Sequence, residues 1–179
     1  MLQCRLHPTV ELPEDLLTVR RALQIEAGQI MNTRGAIRFK NKEQAEAIAD
    51  WNKAVEIWSH LLIETDSVAS PLFAVHRNLG HLYKQKNDVG AAETVAKNYV
   101  ALLERHQPKS PLLPSAYLYL SQIHEHFSLL TDALKAAESA LQACIMINGR
   151  GEESDDIEEA VALIRSRVSR KLGVDDEEE

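Results

Sequence analysis

The sequence predicts an all-α fold in which helices fold back on one another in pairs. Three observations point there. Ala, Leu, Glu, Lys and Arg dominate its 179 residues, whereas Gly numbers 7 and Pro 6, a balance that favours helix. Apolar residues recur every three or four positions, and no run of β-branched or aromatic residues alternates with period two. Turn-forming segments at 65–71, 86–90, 106–115 and 148–154 cut these runs into helix-sized pieces.

The elements follow in order. Pro8 and Pro13 break the N-terminal segment, and Glu14 and Asp15 stand where a helix start favours acid. Leu16, Val19, Leu23, Ala27 and Ile30 follow at heptad-like spacing. Residues 1–27 are therefore expected to form an N-terminal segment with a packing helix at 14–27 that covers one end of the domain. KNKEQAEAIADWNKAVEIWSHLLIE predicts one long helix with the stripe Ile48, Trp51, Val55, Trp58 and Leu62. In TDSVASP, Ser70 is expected to cap a helix running to Gln85, with Pro71 in its first turn. A helix from Val89 to Arg105 stops before the three prolines of HQPKSPLLPS. Two more helices, at 114–127 and 131–147, divide near Ser128. Beyond the loop NGRGEES, Asp155 and Glu158 resemble a capping box. They open a last helix with the stripe Ile157, Val161, Ile164, Val168 and Leu172, its acids early and Arg165, Arg167, Arg170 and Lys171 late, as the helix dipole favours. DDEEE ends residues 173–179, expected to be an acidic disordered tail.

A twelve-residue spacing recurs between these helices. From Gly80 it reaches Ala92, with Ala96 and Tyr99 beyond. From Ser121 it reaches Ala133, with Ala137 and Ala140 beyond, and from Gly35 it reaches Ala47, with Trp51 and Ala54 beyond. Small side chains at a helix crossing let the axes approach to about 8 Å. Gly35, Gly80 and Ser121 are accordingly expected to face Ala47, Ala92 and Ala133.

This pattern resembles the tetratricopeptide repeat (TPR). In HRNLGHLY, Leu79, Gly80 and Tyr83 fit the family's L-G-x-x-Y, with His76 in place of its Trp. In YLYLSQIH, Leu120 and Ser121 fit, and His124 replaces the Tyr; NTRGAIRFK keeps Gly35. The family's closing Pro is missing, and the units start 45 and 41 residues apart against about 34 in the family, a spacing similar to kinesin-light-chain-like repeats. The resemblance implies three helix pairs over 28–147, stacked as a right-handed superhelix, or α-solenoid. The loop and helix at 148–172 would cap the C-terminal end.

The resemblance also implies a function: a non-enzymatic interaction module, an adaptor or scaffold holding a partner's peptide or helix in the concave groove lined by the first helix of each unit. The groove positions with most promise are Asn32, Arg77, Asn78, His81, Lys84, Tyr119 and Gln122. Asn78 matches an asparagine that bonds peptide backbone in related repeats. Arg77 and Lys84 favour an acidic or carboxylate-bearing ligand. One version of the family clamps the C-terminal carboxylate of heat-shock chaperones. Here Asn32 and Ala36 replace its Lys and Asn, Ser115 and Tyr119 replace its Lys and Arg, and only Asn78 matches, so that clamp is not expected. Two other functions stay open, a dedicated chaperone or assembly factor for one client and a peptide-responsive sensor.

Charge and motifs narrow the remaining classes. Residues 1–149 hold 15 Lys and Arg against 16 Asp and Glu, a net of −1, so the −7 of the chain sits mostly in its last 30 residues. A nucleic-acid partner is not expected without a basic face. Cys4 and Cys144 form no CxxC pair, which suits a reducing, intracellular and cytoplasmic setting. No apolar run nears the ~20 residues of a membrane span. His124 and His126 point about 200° apart on a helix, so no metal is expected, nor any cofactor. No acid–base pair or nucleophile constellation emerges, so no enzyme is expected. Homo-oligomerisation is left open.

Overall fold

The computed structural model describes residues 13–172. Seven α-helices follow one another: α1 (Glu14–Lys40), α2 (Gln44–Leu61), α3 (Ala69–Gln85), α4 (Val89–His106), α5 (Leu113–His126), α6 (Leu130–Asn148) and α7 (Glu152–Leu172), with a short 3-10 turn at Asp66–Val68. Among the described residues there is no strand. Cys4, the rest of the N-terminal segment up to Leu12, and the tail from Gly173 lie outside the described residues.

The helices pack as three antiparallel pairs, α1 with α2, α3 with α4 and α5 with α6, and α7 lies against α6. The first helices of successive pairs also touch, α1 on α3 and α3 on α5, more closely than the second helices meet one another. Each pair turns the same way. Lys42, Asn87 and Ser128, each seven residues beyond Gly35, Gly80 and Ser121, take left-handed φ values of 67°, 54° and 59°. Their N–H groups bond to Phe39, Lys84 and Glu125, and the next N–H in each bonds to Arg38, Tyr83 and His124. This is the helix-ending motif that turns orphan carbonyls inward.

Several details differ from the sequence expectation. The helix at 14–27 and the first repeat helix are one 27-residue helix, α1. No proline interrupts it, and Gly28 is a contact point rather than a terminator: a Cβ there would sit 2.2 Å from Trp58 Nε1. Leu16, Val19, Leu23 and Ile30 do not enter the core; α1 buries Gly28 and Gly35 and packs Ile25, Met31 and Phe39 instead. Ser70 is exposed and caps nothing, because α3 starts a residue earlier; Thr65 accepts from Ser67 N–H and starts the 3-10 turn. The last helix begins at Glu152, where Ser154 Oγ accepts the Gly151 N–H at 2.9 Å, so Asp155 and Glu158 are not its capping box. Gly149, at φ 78°, ends α6.

Large side chains also reach the small-residue positions. A Cβ at Gly35 would meet Trp51 of α2 first, and one at Gly80 would meet Tyr119 of α5. At the third crossing the expected neighbours do meet: Ser121 Oγ donates to the Ala133 carbonyl at 2.8 Å. Ala47, Ala54, Ala92, Ala133 and Ala140 are fully buried. Trp51 and Trp58 belong to the core, and their indole N–H groups donate to the carbonyls of Asn32 and Ile25, fastening α2 to α1. Tyr99 breaks the small-residue pattern because it fills space. It is fully buried, stacks on Phe73 at 4.9 Å and donates to the Ala69 carbonyl.

Candidate functional site

The first helices α1, α3 and α5 line one face, and α3 is its middle. The helical period places Arg77, Asn78, His81 and Lys84 along one side of α3, while Val75, Leu79 and Leu82 turn to the core. Asn78 reaches across to α1, its side-chain amide donating to Asn32 Oδ1 at 3.4 Å. The two asparagines thus come together as a polar pair, each half-buried. Beside them, the exposed His81 ring meets the edge of Phe39 at 6.2 Å and accepts from Gln85 at 2.9 Å. Gln122 is exposed on α5.

Arg77 is exposed, with its guanidinium 5.8 Å from the Phe73 ring centre, and Lys84 is half-buried. Among the described residues neither has a carboxylate within ion-pairing distance. The arginines of α1 differ. Arg34 and Arg38 of α1 both close on the buried Asp50 of α2, and Arg38 Nη1 stands 2.8 Å from its Oδ2. The Arg34 guanidinium, ahead of a smaller contribution from Arg38, holds the Asp50 carboxyl below the usual range. Arg34 and Arg38 are thus committed to holding the first pair together, whereas Arg77 and Lys84 keep their charge for solvent or ligand.

Tyr119 is not a surface group. It is 7% exposed, and its hydroxyl lies 3.4 Å from the carbonyls of both His76 and Arg77. Burial pushes its pKa up to about 12, so it stays a neutral donor. Its place is beneath Arg77, where it ties α5 to α3. The reason is Gly80: a Cβ at that position would stand 1.9 Å from the Tyr119 hydroxyl.

Two features escape a motif reading. The Arg34–Asp50–Arg38 cluster obeys the same twelve-residue spacing as the small residues, Arg38 to Asp50, and the i, i+4 arginines opposite an aspartate on a core stripe were the available signal. A cleft of about 610 Å³ opens between the start of α3 and the α4–α5 loop, lined by Ala69, His106, Pro108, Pro111 and Leu112 among others. Nothing in the sequence pattern marks it, because it is made by irregular loop backbone.

No protein-family model and no curated protein matches this sequence. Among solved structures, the chain is similar to the N-terminal domain of stress-induced protein-1 (STI-1) from C. elegans, with a TM-score of 0.55 and 14% identity over 79% of this chain and 97% of that one. At that identity the likeness is one of fold, and the chain has a TPR-like all-α fold. No helix of the described residues is long and apolar enough to cross a membrane.

Proposed function

We propose that this chain is a protein-interaction module that holds an extended peptide or a helix of a partner protein on the α1–α3–α5 face. The observation that carries the reading is the placement of uncommitted polar groups on α3. Arg77 and Lys84 have no counter-ion among the described residues, and the Asn32–Asn78 pair sits beside them with amide donors and acceptors suited to a peptide backbone. Cations left unpaired beside half-buried amides suit a carboxylate-bearing segment, whose charge-assisted bonds would be stronger than neutral ones. The likeness to the STI-1 domain is compatible with such a role through fold alone.

The test compares captures from native lysate by the wild-type chain and by an Arg77→Ala, Asn78→Ala double variant. A partner of this face is retained by wild type, is lost from the double variant and elutes as salt rises. Equal capture of the same proteins by both would sink the proposal. Both substitutions lie off the core, so thermal melting is expected to be nearly unchanged and serves as the folding control.

A further inference from the structure

α1 carries a second surface that the groove does not use. Leu16, Val19, Leu23, Ile30 and Ile37 are each more than half exposed, and the helical period sets them on one side of α1, away from the buried Gly28 and Gly35. Leu16, Leu23, Ile30 and Ile37 are spaced by seven, so the stripe runs about 32 Å along the helix. It presents on the order of 500 Å² of apolar side chain, at the upper end of what a monomer leaves in one patch.

The other units show what this side of a first helix does. Ile30 and Ile37 stand five before and two after Gly35. The same places around Gly80 are Val75 and Leu82, and around Ser121 they are Ala116 and Ile123. All four are 0–1% exposed, on helices that pack against the pair before them. The α1 stripe therefore continues the stacking interface of the fold, but at the first unit, where nothing among the described residues covers it. The opposite end is finished differently: α7 exposes Glu158, Glu159, Arg165 and Ser166 around Leu163. A polar outer face is what a terminal cap of a repeat stack requires, and α1 lacks one.

We propose that α1 pairs with α1 of a second copy, antiparallel, to form a two-fold dimer. The apolar pattern is self-complementary, with the two Glu26 carboxylates meeting at the two-fold axis as a like-charge contact. An antiparallel copy centred between Glu26 and Ala27 sets Leu16 against Ile37 of the second copy and Leu23 against its Ile30, and both reciprocal contacts follow by symmetry. A seven-residue apolar repeat suits such a helix seam. A head-to-tail contact would bring this stripe onto the polar face of α7, which removes the open-ended alternative. Closure at α1 leaves Arg77 and Asn78 of each copy uncovered, so the dimer presents two grooves.

Sedimentation equilibrium of the full chain at about 100 µM tests this, with Leu23→Lys, Ile30→Lys as the disrupting pair. The wild type is expected at twice the 20.1 kDa chain mass and the double variant at the chain mass, with helical circular dichroism retained because both sites are exposed. A second measurement needs no loss of contact. In a Cys4→Ser background, Glu26→Cys lies beside its own symmetry mate and is expected to oxidise to a disulfide-linked dimer, whereas Glu56→Cys on α2 is not. A monomeric wild type overturns the proposal, as does a dimer that survives the lysines. So does a wild type that dimerises only after residues 1–12 are removed, since those residues would then be the natural cover.

Discussion

His76 is a titratable group that the fold holds neutral. It is 2% exposed, its Nδ1–H donates to the Leu72 carbonyl at 2.9 Å, and its ring tilts against Tyr99. Desolvation brings its pKa from 6.5 down to about 4. The unfolded chain therefore binds a proton between these values that the folded chain refuses. The stability linked to this ring is fully present above pH 6.5 and is lost as pH falls toward 4. A difference of this size is worth about 3 kcal/mol. In His76→Phe, which keeps an aromatic ring against Tyr99, the loss of unfolding free energy between pH 7 and 4.5 is expected to be smaller than in wild type by about 2–3 kcal/mol. Urea titrations at the two pH values measure it, and parallel losses would refute it. Carboxylates titrate alike in both proteins and cancel in the comparison.

Between elements, Gly80 shows where sequence reasoning reached and where it stopped. That a close approach exists at Gly80 was legible, because an interior helical glycine costs about 1 kcal/mol and needs a compensating contact. Its partner was not legible. The spacing to Ala92 is a property of one hairpin, whereas the contact with Tyr119 spans two units and depends on how pairs stack. For the same reason Tyr119 looked like a groove residue: its position on α5 is right, but its ring is long enough to cross to α3 and fill the space Gly80 leaves. Helix boundaries were largely readable, since prolines and turn segments act locally, but the caps expected at Ser70 and Asp155 do not form. The single α1 was not: the helix expected at 14–27 runs on through Gly28, where it meets Trp58. The left-handed turns at Lys42, Asn87 and Ser128 left no glycine to find. Gly80→Ala is expected to destabilise by about 1–3 kcal/mol despite its better helix propensity. Tyr119→Phe alone costs less, since both of its hydroxyl contacts are long. The double variant Gly80→Ala, Tyr119→Phe should then be more stable than Gly80→Ala. In a double-mutant cycle by chemical denaturation, a coupling indistinguishable from zero would return Gly80 to the Ala92 crossing.

Across the whole molecule, contacts run mainly between neighbours in the stack, as in a repeat array whose ends respond separately. The chain holds two probes of this at opposite ends. Both of its tryptophans, Trp51 and Trp58, lie in α2, so intrinsic fluorescence reports the first pair. Cys144 of α6 is fully buried in the cluster formed with Ile157, Val161 and Ile164 of α7, and burial pushes its thiol pKa up. Its reaction with a thiol reagent therefore reports the release of α7. Val161→Asp places a carboxylate in that cluster and is expected to cost about 3 kcal/mol or more locally. In a Cys4→Ser background, Cys144 of this variant should label at least about tenfold faster than in the parent under native conditions, because exchange of a buried group follows the free energy of local opening. The denaturation midpoint read by tryptophan should move far less. That separation is what nearest-neighbour stability predicts for ends joined only through α3, α4 and α5. If tryptophan fluorescence and Cys144 labelling shift together by the same free energy, the seven helices unfold as one cooperative unit, and the ends cannot be tuned apart.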